Sequence, residues 1–393
     1  MTTTLLRSLL LAFLFLGCAP GNALAQRRAT RALWVTRFDF RTREDVARAI
    51  ENAHSAAFDA VLFQVRGNAT AFYRSNLEPW AAELGGEDPG FDPLAVAIEE
   101  SAKRGIALHA WFNVMPAWWG TELPADPKQL WNAKKEWLWY DQRGAPQPLS
   151  DRFYVSVNPC LPEVRRYLAD VVRDLVSRYA IDGLHLDYVR FPNEPPGTPE
   201  GSGSDYPRDE RTLGLYRKAS GKAPDDDRKA WDAWRSEQVT AVVRDVSRIV
   251  REVRPEAELS AAVGPDPAKA LHHFQDSRLW LREGLLDAVY PMNYSADAKT
   301  FGARLAAWKE IAGGTPVVMG LRIHDDVELV RSQIDASRAA FRGWCLFAYS
   351  SIFDSPNDAI DDQGPAARAA REARRAKLLP VLRTAAGGAK GAR

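Results

Sequence analysis

The chain has 393 residues, 46% hydrophobic and 26% charged, which supports a packed globular core and argues against wholesale disorder. Its 52 Lys and Arg against 51 Asp and Glu give a formal net charge of +1, so composition gives no support to a nucleic-acid partner. Three cysteines are too few for a disulfide framework.

Residues 1–25 read as a targeting leader. Arg7 supplies a basic start, and the apolar run Leu9–Gly17 is too short to span a bilayer. Two processing routes stay open. Small residues at Ala23 and Ala25 fit cleavage before Gln26, whereas "FLGC", ending at Cys18, resembles a lipidation signal. Either route exports the protein to the periplasm or cell envelope. Loss of the leader removes only Arg7 and leaves the mature chain neutral.

Apolar runs of β type then alternate with helical patterns. A strand is expected at 31–40, followed by a helix that Thr42 can cap. A second strand spans 59–67, and a helix covers 92–105, with Pro93 at its start and Gly105 at its end. A third strand spans 106–116. The amphipathic stretch 162–180 is a helix, and "IDGLHLDYVRFP" is the fourth strand. Further on come a long helix at 226–254, the strand "AELSAAVGP", and a helical pattern at 267–283. Strands at 286–295, 315–323 and 342–351 follow, with helices at 300–312 and 326–340 between them.

Eight near-continuous apolar strands with helices in most gaps imply a parallel sheet closed into a (β/α)₈ TIM-like barrel over residues 29–360. An open doubly wound sheet is the alternative, but no Gly-rich phosphate fingerprint follows the first strand. Two long gaps, 117–161 and 193–225, follow strands three and four. They should rise from the C-terminal face, where barrel enzymes place their sites. Residues 364–393 hold eight Lys and Arg against Glu372 alone, a net charge of +7. This Ala/Arg-rich tail reads as a solvated helix with a frayed end, or as a contact for anionic envelope polymer or lipid.

On strand four, Gly183, His185, Asp187 and Val189 share one face, and Leu184 and Leu186 the other. The leucines suit the side beneath the helices, so His185 and Asp187 should face the barrel interior. A carboxylate there costs free energy unless it is paired, which makes Asp187 the first catalytic candidate. Pairing with Arg66 or His185 is the structural alternative.

The stretch "DGLHLDYV" resembles the strand-four motif of family 18 chitinases, Asp-Gly-x-Asp-x-Asp-x-Glu. Asp182, Gly183 and Asp187 match, while His185 and Val189 stand where that motif has acids. "PMNYS" (291–295) is similar to the chitinase strand-six motif. "RALWVT", "EWLW", "VNPCLPEVRRYL", "IDGLHLDYVRFP" and "YPMNYS" together resemble the bacterial glycosyl-hydrolase-like 10 family over roughly residues 29–350. That resemblance implies a barrel, export, and action on a glycan such as peptidoglycan strands stripped of their peptides. The chitinase comparison implies that Asp187 helps to orient a substrate acetamide.

Glycoside hydrolysis usually needs two carboxyl groups. Asp266 after strand five and Glu194 past strand four lead the search for the second, ahead of Asp39 and Asp297. Substrate-binding candidates at strand ends are His185, Arg66, Asn68, Asn113, Trp111, Arg190, Asn293, Tyr294 and Trp344, with Arg37, Trp118 and Trp119 beside them. No His-Glu-x-x-His or Cys-x-x-Cys spacing calls for a metal, no other cofactor is implied, and a monomer is expected. Two functions stay open: a glycoside hydrolase acting on an envelope or extracellular polysaccharide, or a non-catalytic glycan-binding barrel.

Overall fold

Side-chain alternation along eight apolar strands sets the architecture. The computed structural model describes residues 30–191, 205–356 and 364–387; the leader with Cys18, and Glu194, lie outside these residues. The barrel strands are β1 (Thr30–Val35), β2 (Ala60–Arg66), β3 (Ala107–Asn113), β6 (Gly183–Asp187), β7 (Glu258–Val263), β8 (Ala288–Pro291), β9 (Val318–Arg322) and β10 (Gly343–Phe347). They pair in parallel in the order β8-β7-β6-β3-β2-β1-β10-β9. Parallel bridges from Val289 to Val317 and from Met292 to Gly320 join the two ends. β4 (Pro116–Gly120) and β5 (Ser150–Ser156) form a separate antiparallel hairpin after β3.

Helices fill the gaps between barrel strands. α1 (Arg43–Ser55) starts in a capping box between Thr42 and Asp45, and α2 (Pro93–Arg104) stops at Gly105 in the left-handed conformation. α3 (Leu130–Ala133) is a single turn after the first hairpin strand; α4 (Pro162–Arg178) and α6 (Arg228–Val253) pack on each other. The 193–225 gap is not wholly irregular, because it contains α5 (Glu210–Ser220), capped by Asp209. The single helix expected at 267–283 is two, α7 (Pro267–Ala270) and α8 (Ser277–Arg282). Phe274, at φ 55°, breaks the run between them. α9 (Ala298–Ile311) and α10 (Val327–Ala340) follow the expected positions.

The basic C-terminal stretch carries α11 (Pro365–Gly387). Leu378 and Leu382, one helical turn apart, are buried in the main core. Arg371 pairs with Asp354 at 3.0 Å, and the Arg383 guanidinium reaches the Ser55 carbonyl at the end of α1 at 3.1 Å. α11 therefore closes the helical ring behind β10 rather than standing in solvent. Its leucines were masked in sequence by the surrounding Ala and Arg.

Two apolar clusters separate inside from outside. Leu184 and Leu186 belong to the layer between barrel and helices, whereas Trp34, Leu62, Trp111, Tyr290, Val318 and Cys345 pack together inside the barrel. Large and small residues alternate there. A Cβ on Gly183 would collide with the His109 imidazole, and one on Gly320 would lie 2.9 Å from the Trp34 ring. Cys160 and Cys345 are both buried and free.

If α11 is part of the barrel, shortening Leu378 to Ala should lower stability by about 2–5 kcal/mol. Chemical denaturation checks this; a change below ~0.5 kcal/mol would mean that the helix is dispensable.

Candidate active site

Asp187 is the last residue of β6, at the C-terminal mouth of the barrel. Its side chain is 6% exposed, and Oδ1 accepts the Tyr188 amide at 2.7 Å. Tyr188 makes that contact from φ 49°, a left-handed conformation unusual for a tyrosine. Such strain concentrates at functional positions, where the surroundings hold it in place. Burial pushes the Asp187 pKa up to about 6; the Tyr188 amide, the Arg190 guanidinium and the neighbouring Trp111 indole oppose the shift only in part.

Around this carboxyl lies a cavity of about 230 Å³ open to solvent. Trp34, Trp111, Tyr154, Tyr188, Met292, Tyr294 and Phe347 give it apolar walls; Gln64, Asn113, Arg37 and Arg190 supply polar groups. Tyr294 stacks on Phe347, with ring centroids 5.5 Å apart. Tyr154 comes from the hairpin strand β5, meets Tyr188 edge-on at 4.8 Å, and accepts a hydrogen bond from Arg37 Nη1 at 2.6 Å. Asn113 donates its amide N–H to the Gly67 carbonyl at 3.1 Å, while its Oδ1 is buried with no partner among the described residues. Among the described lining residues, Asp187 is the single carboxylic acid.

The sequence candidates therefore divide. Asp187, Trp111, Asn113, Arg190 and Tyr294 come together in the cavity. Asn68 lies beside it, in a neighbouring cavity with Trp118 and Trp119. His185 sits beneath the floor, fully buried. Its Nε2 accepts the Trp34 indole N–H at 3.3 Å and its Nδ1 lies 2.9 Å from Ser260 Oγ. Burial, with His109 nearby, holds its pKa well below the usual histidine value, so it stays neutral and supports Trp34.

The other candidates serve the framework. Arg66 is fully buried, pairs with Glu78 at 2.6 Å and donates to the carbonyls of Asn113 and Val114. Glu78, which sequence reasoning overlooked, thus removes Arg66 from the site and from any pairing with Asp187. Asn293 ties the end of β8 to α9 by donating to the Phe301 carbonyl at 3.2 Å and accepting from Arg304. Trp344, near the start of β10, packs edge-on against Phe58 at the opposite end of the barrel. Asp266 caps α7, accepting the amides of Ala268 and Lys269, and Asp297 caps α9. Neither lines the cavity. Asp39 is buried in hydrogen bonds from Thr36 and Ser355, and burial likewise lifts its pKa to about 6.

Sequence reasoning also missed Gln64, Tyr154 and Tyr188. Gln64 had a readable signal, being a polar residue on the inward face of an apolar strand. Tyr154 had none, because only the hairpin fold brings β5 across the barrel mouth.

A model described as glycosyl hydrolase-like 10 matches residues 29–325. The chain belongs to this family. It is 26% identical over 297 residues to the glycosyl hydrolase DigH of Escherichia coli, a match covering 68% of this chain and 62% of that one. It is 25% identical over 274 residues to the glycosyl hydrolase YngK of Bacillus subtilis, covering 64% and 49% of the two chains. The match thus spans about three fifths of the DigH length and half of YngK. Among solved structures, the barrel resembles α-L-fucosidase isoenzyme 2 from Paenibacillus thiaminolyticus, with a TM-score of 0.61 and 13% identity over 91% of this chain and 49% of that one. It also resembles the catalytic domain of a β-amylase from Paenibacillus polymyxa, with a TM-score of 0.59 and 10% identity over 89% and 98%. At such identity these likenesses establish the (β/α)₈ fold of this family member, and only that.

The Asp187 shift carries a stability consequence. A folded carboxyl at about 6, against an ordinary 3.8, binds its proton more tightly in the native state. Its contribution favours the fold fully below about pH 4 and is lost as pH rises through 6. Asp187→Asn removes this loss. The variant should gain stability over the wild type between pH 4 and 7, by up to about 3 kcal/mol. Paired denaturation curves across that range test it; a difference that does not change with pH would contradict the buried-carboxyl account.

Proposed function

We propose that the protein is a glycoside hydrolase that cleaves a polysaccharide of N-acetylated sugars outside the cytoplasm, with Asp187 as its proton-donating group. The observation that carries this reading is a buried carboxyl, pushed up to about 6, facing an aromatic-walled cavity at the barrel mouth. A carboxylic acid that keeps its proton near pH 6 can deliver it to a departing glycosidic oxygen. The rings around it suit the apolar faces of sugars, and Gln64, Asn113 and Arg190 suit their hydroxyls. Family membership supports the same reaction class.

The second participant comes from the substrate. Two-carboxyl mechanisms place the pair within roughly 5–10 Å across the bond. Asp266 and Asp39 are committed to hydrogen bonds elsewhere. Some glycosidases instead use the sugar's own 2-acetamido group as the nucleophile. The unpaired Oδ1 of Asn113 suits an acetamide N–H. Peptidoglycan glycan strands have this chemistry, and the leader read in residues 1–25 supports a substrate in the envelope.

A non-catalytic glycan-binding barrel is the second reading. It is favoured by the single acid among the described lining residues. Product analysis by mass spectrometry separates the two, using denuded peptidoglycan strands and N-acetylglucosamine oligomers. The hydrolase releases shorter glycans, and Asp187→Asn lowers turnover by at least ~100-fold, the usual contribution of a general acid. Wild-type kcat/KM should also fall about tenfold per pH unit above ~6, because the free enzyme must hold the Asp187 proton. Tight binding of these glycans without any cleavage would establish the binder.

A further inference from the structure

A second cavity of about 320 Å³ adjoins the first, lined by Phe38, Asn68, Thr70, Glu83, Trp118 and Trp119 together with Ala82. Phe38 belongs to both cavities. The boundary between them is built. Arg37, 1% exposed, donates from Nη1 to Tyr154 on the first side and from Nε to Glu83 on the second, at 2.7 Å. Its guanidinium lies 4.3 Å above the Phe38 ring and 6.0 Å from that of Trp119. Two half-buried indoles face this second space. Trp118 is fixed by its N–H bond to the Glu122 carbonyl at 2.7 Å, and Trp119 leans on Phe38 at 6.1 Å.

We propose that this second cavity is a sugar subsite continuous with the Asp187 cavity, so that the protein grips a glycan chain across at least two adjacent units. The inference rests on the proposed glycoside hydrolase reading and adds the place where a neighbouring unit of the chain would sit. Each cavity is at or below the lower end of the ~300–1,000 Å³ typical of ligand pockets, room for about one ring apiece. Indoles supply flat apolar faces, while Asn68, Thr70 and Glu83 supply the hydroxyl partners that a sugar edge needs. Arg37 is buried and tied by its two partners, so the proposed path of the chain passes over it. Binding energy gathered on Trp119, away from the cleaved bond, would position the sugar above Asp187.

The test measures binding in the Asp187→Asn protein, which does not consume its ligand. The probes are β-1,4-linked N-acetylglucosamine oligomers two to six units long, titrated by calorimetry. Affinity should rise by roughly tenfold or more from the dimer to the longest oligomer, and Trp119→Ala should abolish that rise. Trp119→Phe, which keeps a ring, should retain most of it and guards against a folding defect. Affinity independent of length, a rise unaffected by Trp119→Ala, or no binding at any length would overturn the subsite. In the wild type, the kcat/KM ratio of long to short oligomers should collapse on Trp119→Ala, chiefly through KM. Binding that depends on length and on Trp119, but with no wild-type cleavage, would keep the subsite and overturn the hydrolase reading.

Discussion

Keeping the Asp187 carboxyl out of bulk water at the open end of the barrel is the constraint on which the rest of the site depends. An isolated buried carboxylate is costly, and a fully paired one would be chemically inert. The protein holds Asp187 between these limits. One backbone amide, from a strained Tyr188, fixes Oδ1, while Arg190 and Trp111 offset part of the burial. The outcome is a group poised near pH 6 rather than locked in an ion pair. The contrast with Glu78 is instructive. That carboxylate is equally buried but accepts from both Arg66 and Tyr167, which leaves it a framework role.

Holding Asp187 in place requires a rigid interior beneath it. The layer below contains His185, bonded to Trp34 on one side and Ser260 on the other, with Tyr290 packed edge-on at 4.8 Å. Two of the large rings inside the barrel are admitted by a glycine opposite. Gly183 makes space for His109, and Gly320 for Trp34. A substitution that fills the gap at Gly320 would press on Trp34, and Trp34 lines the cavity. Packing inside the barrel and geometry at its mouth are therefore the same problem, solved by the same residues.

This coupling explains what sequence could and could not reveal. Strand positions, barrel closure and the inward direction of Asp187 follow from period-two alternation and from leucines that must lie beneath helices. Polar residues on inward faces were equally visible, but their roles were not. Arg66, His185 and Asp187 look alike as buried polar groups at or near strand ends. What separates them is their partners: Glu78 for Arg66, Trp34 and Ser260 for His185, and for Asp187 the Tyr188 amide, with Arg190 and Trp111 beside it. Those partners lie from one to more than a hundred residues away, so no local pattern reports them. The packing of helix α11 on the core was obscured differently, because two buried leucines among many Ala and Arg carry little periodic signal.

Loops as well as strands shape the cavities at the barrel mouth. Tyr154 and both indoles of the second cavity come from the hairpin inserted after β3, and Glu83 from the segment after β2. Arg37 joins these two insertions, bonding Glu83 from one and Tyr154 from the other. Burial works against its charge, but Tyr154 and Glu83 more than compensate and keep it cationic. Losing either partner would leave a buried cation half-satisfied, so Arg37 ties the position of the hairpin to that of the β2 segment. Moving either loop would therefore break one of the two bonds that hold Arg37, without touching the strand that carries Asp187.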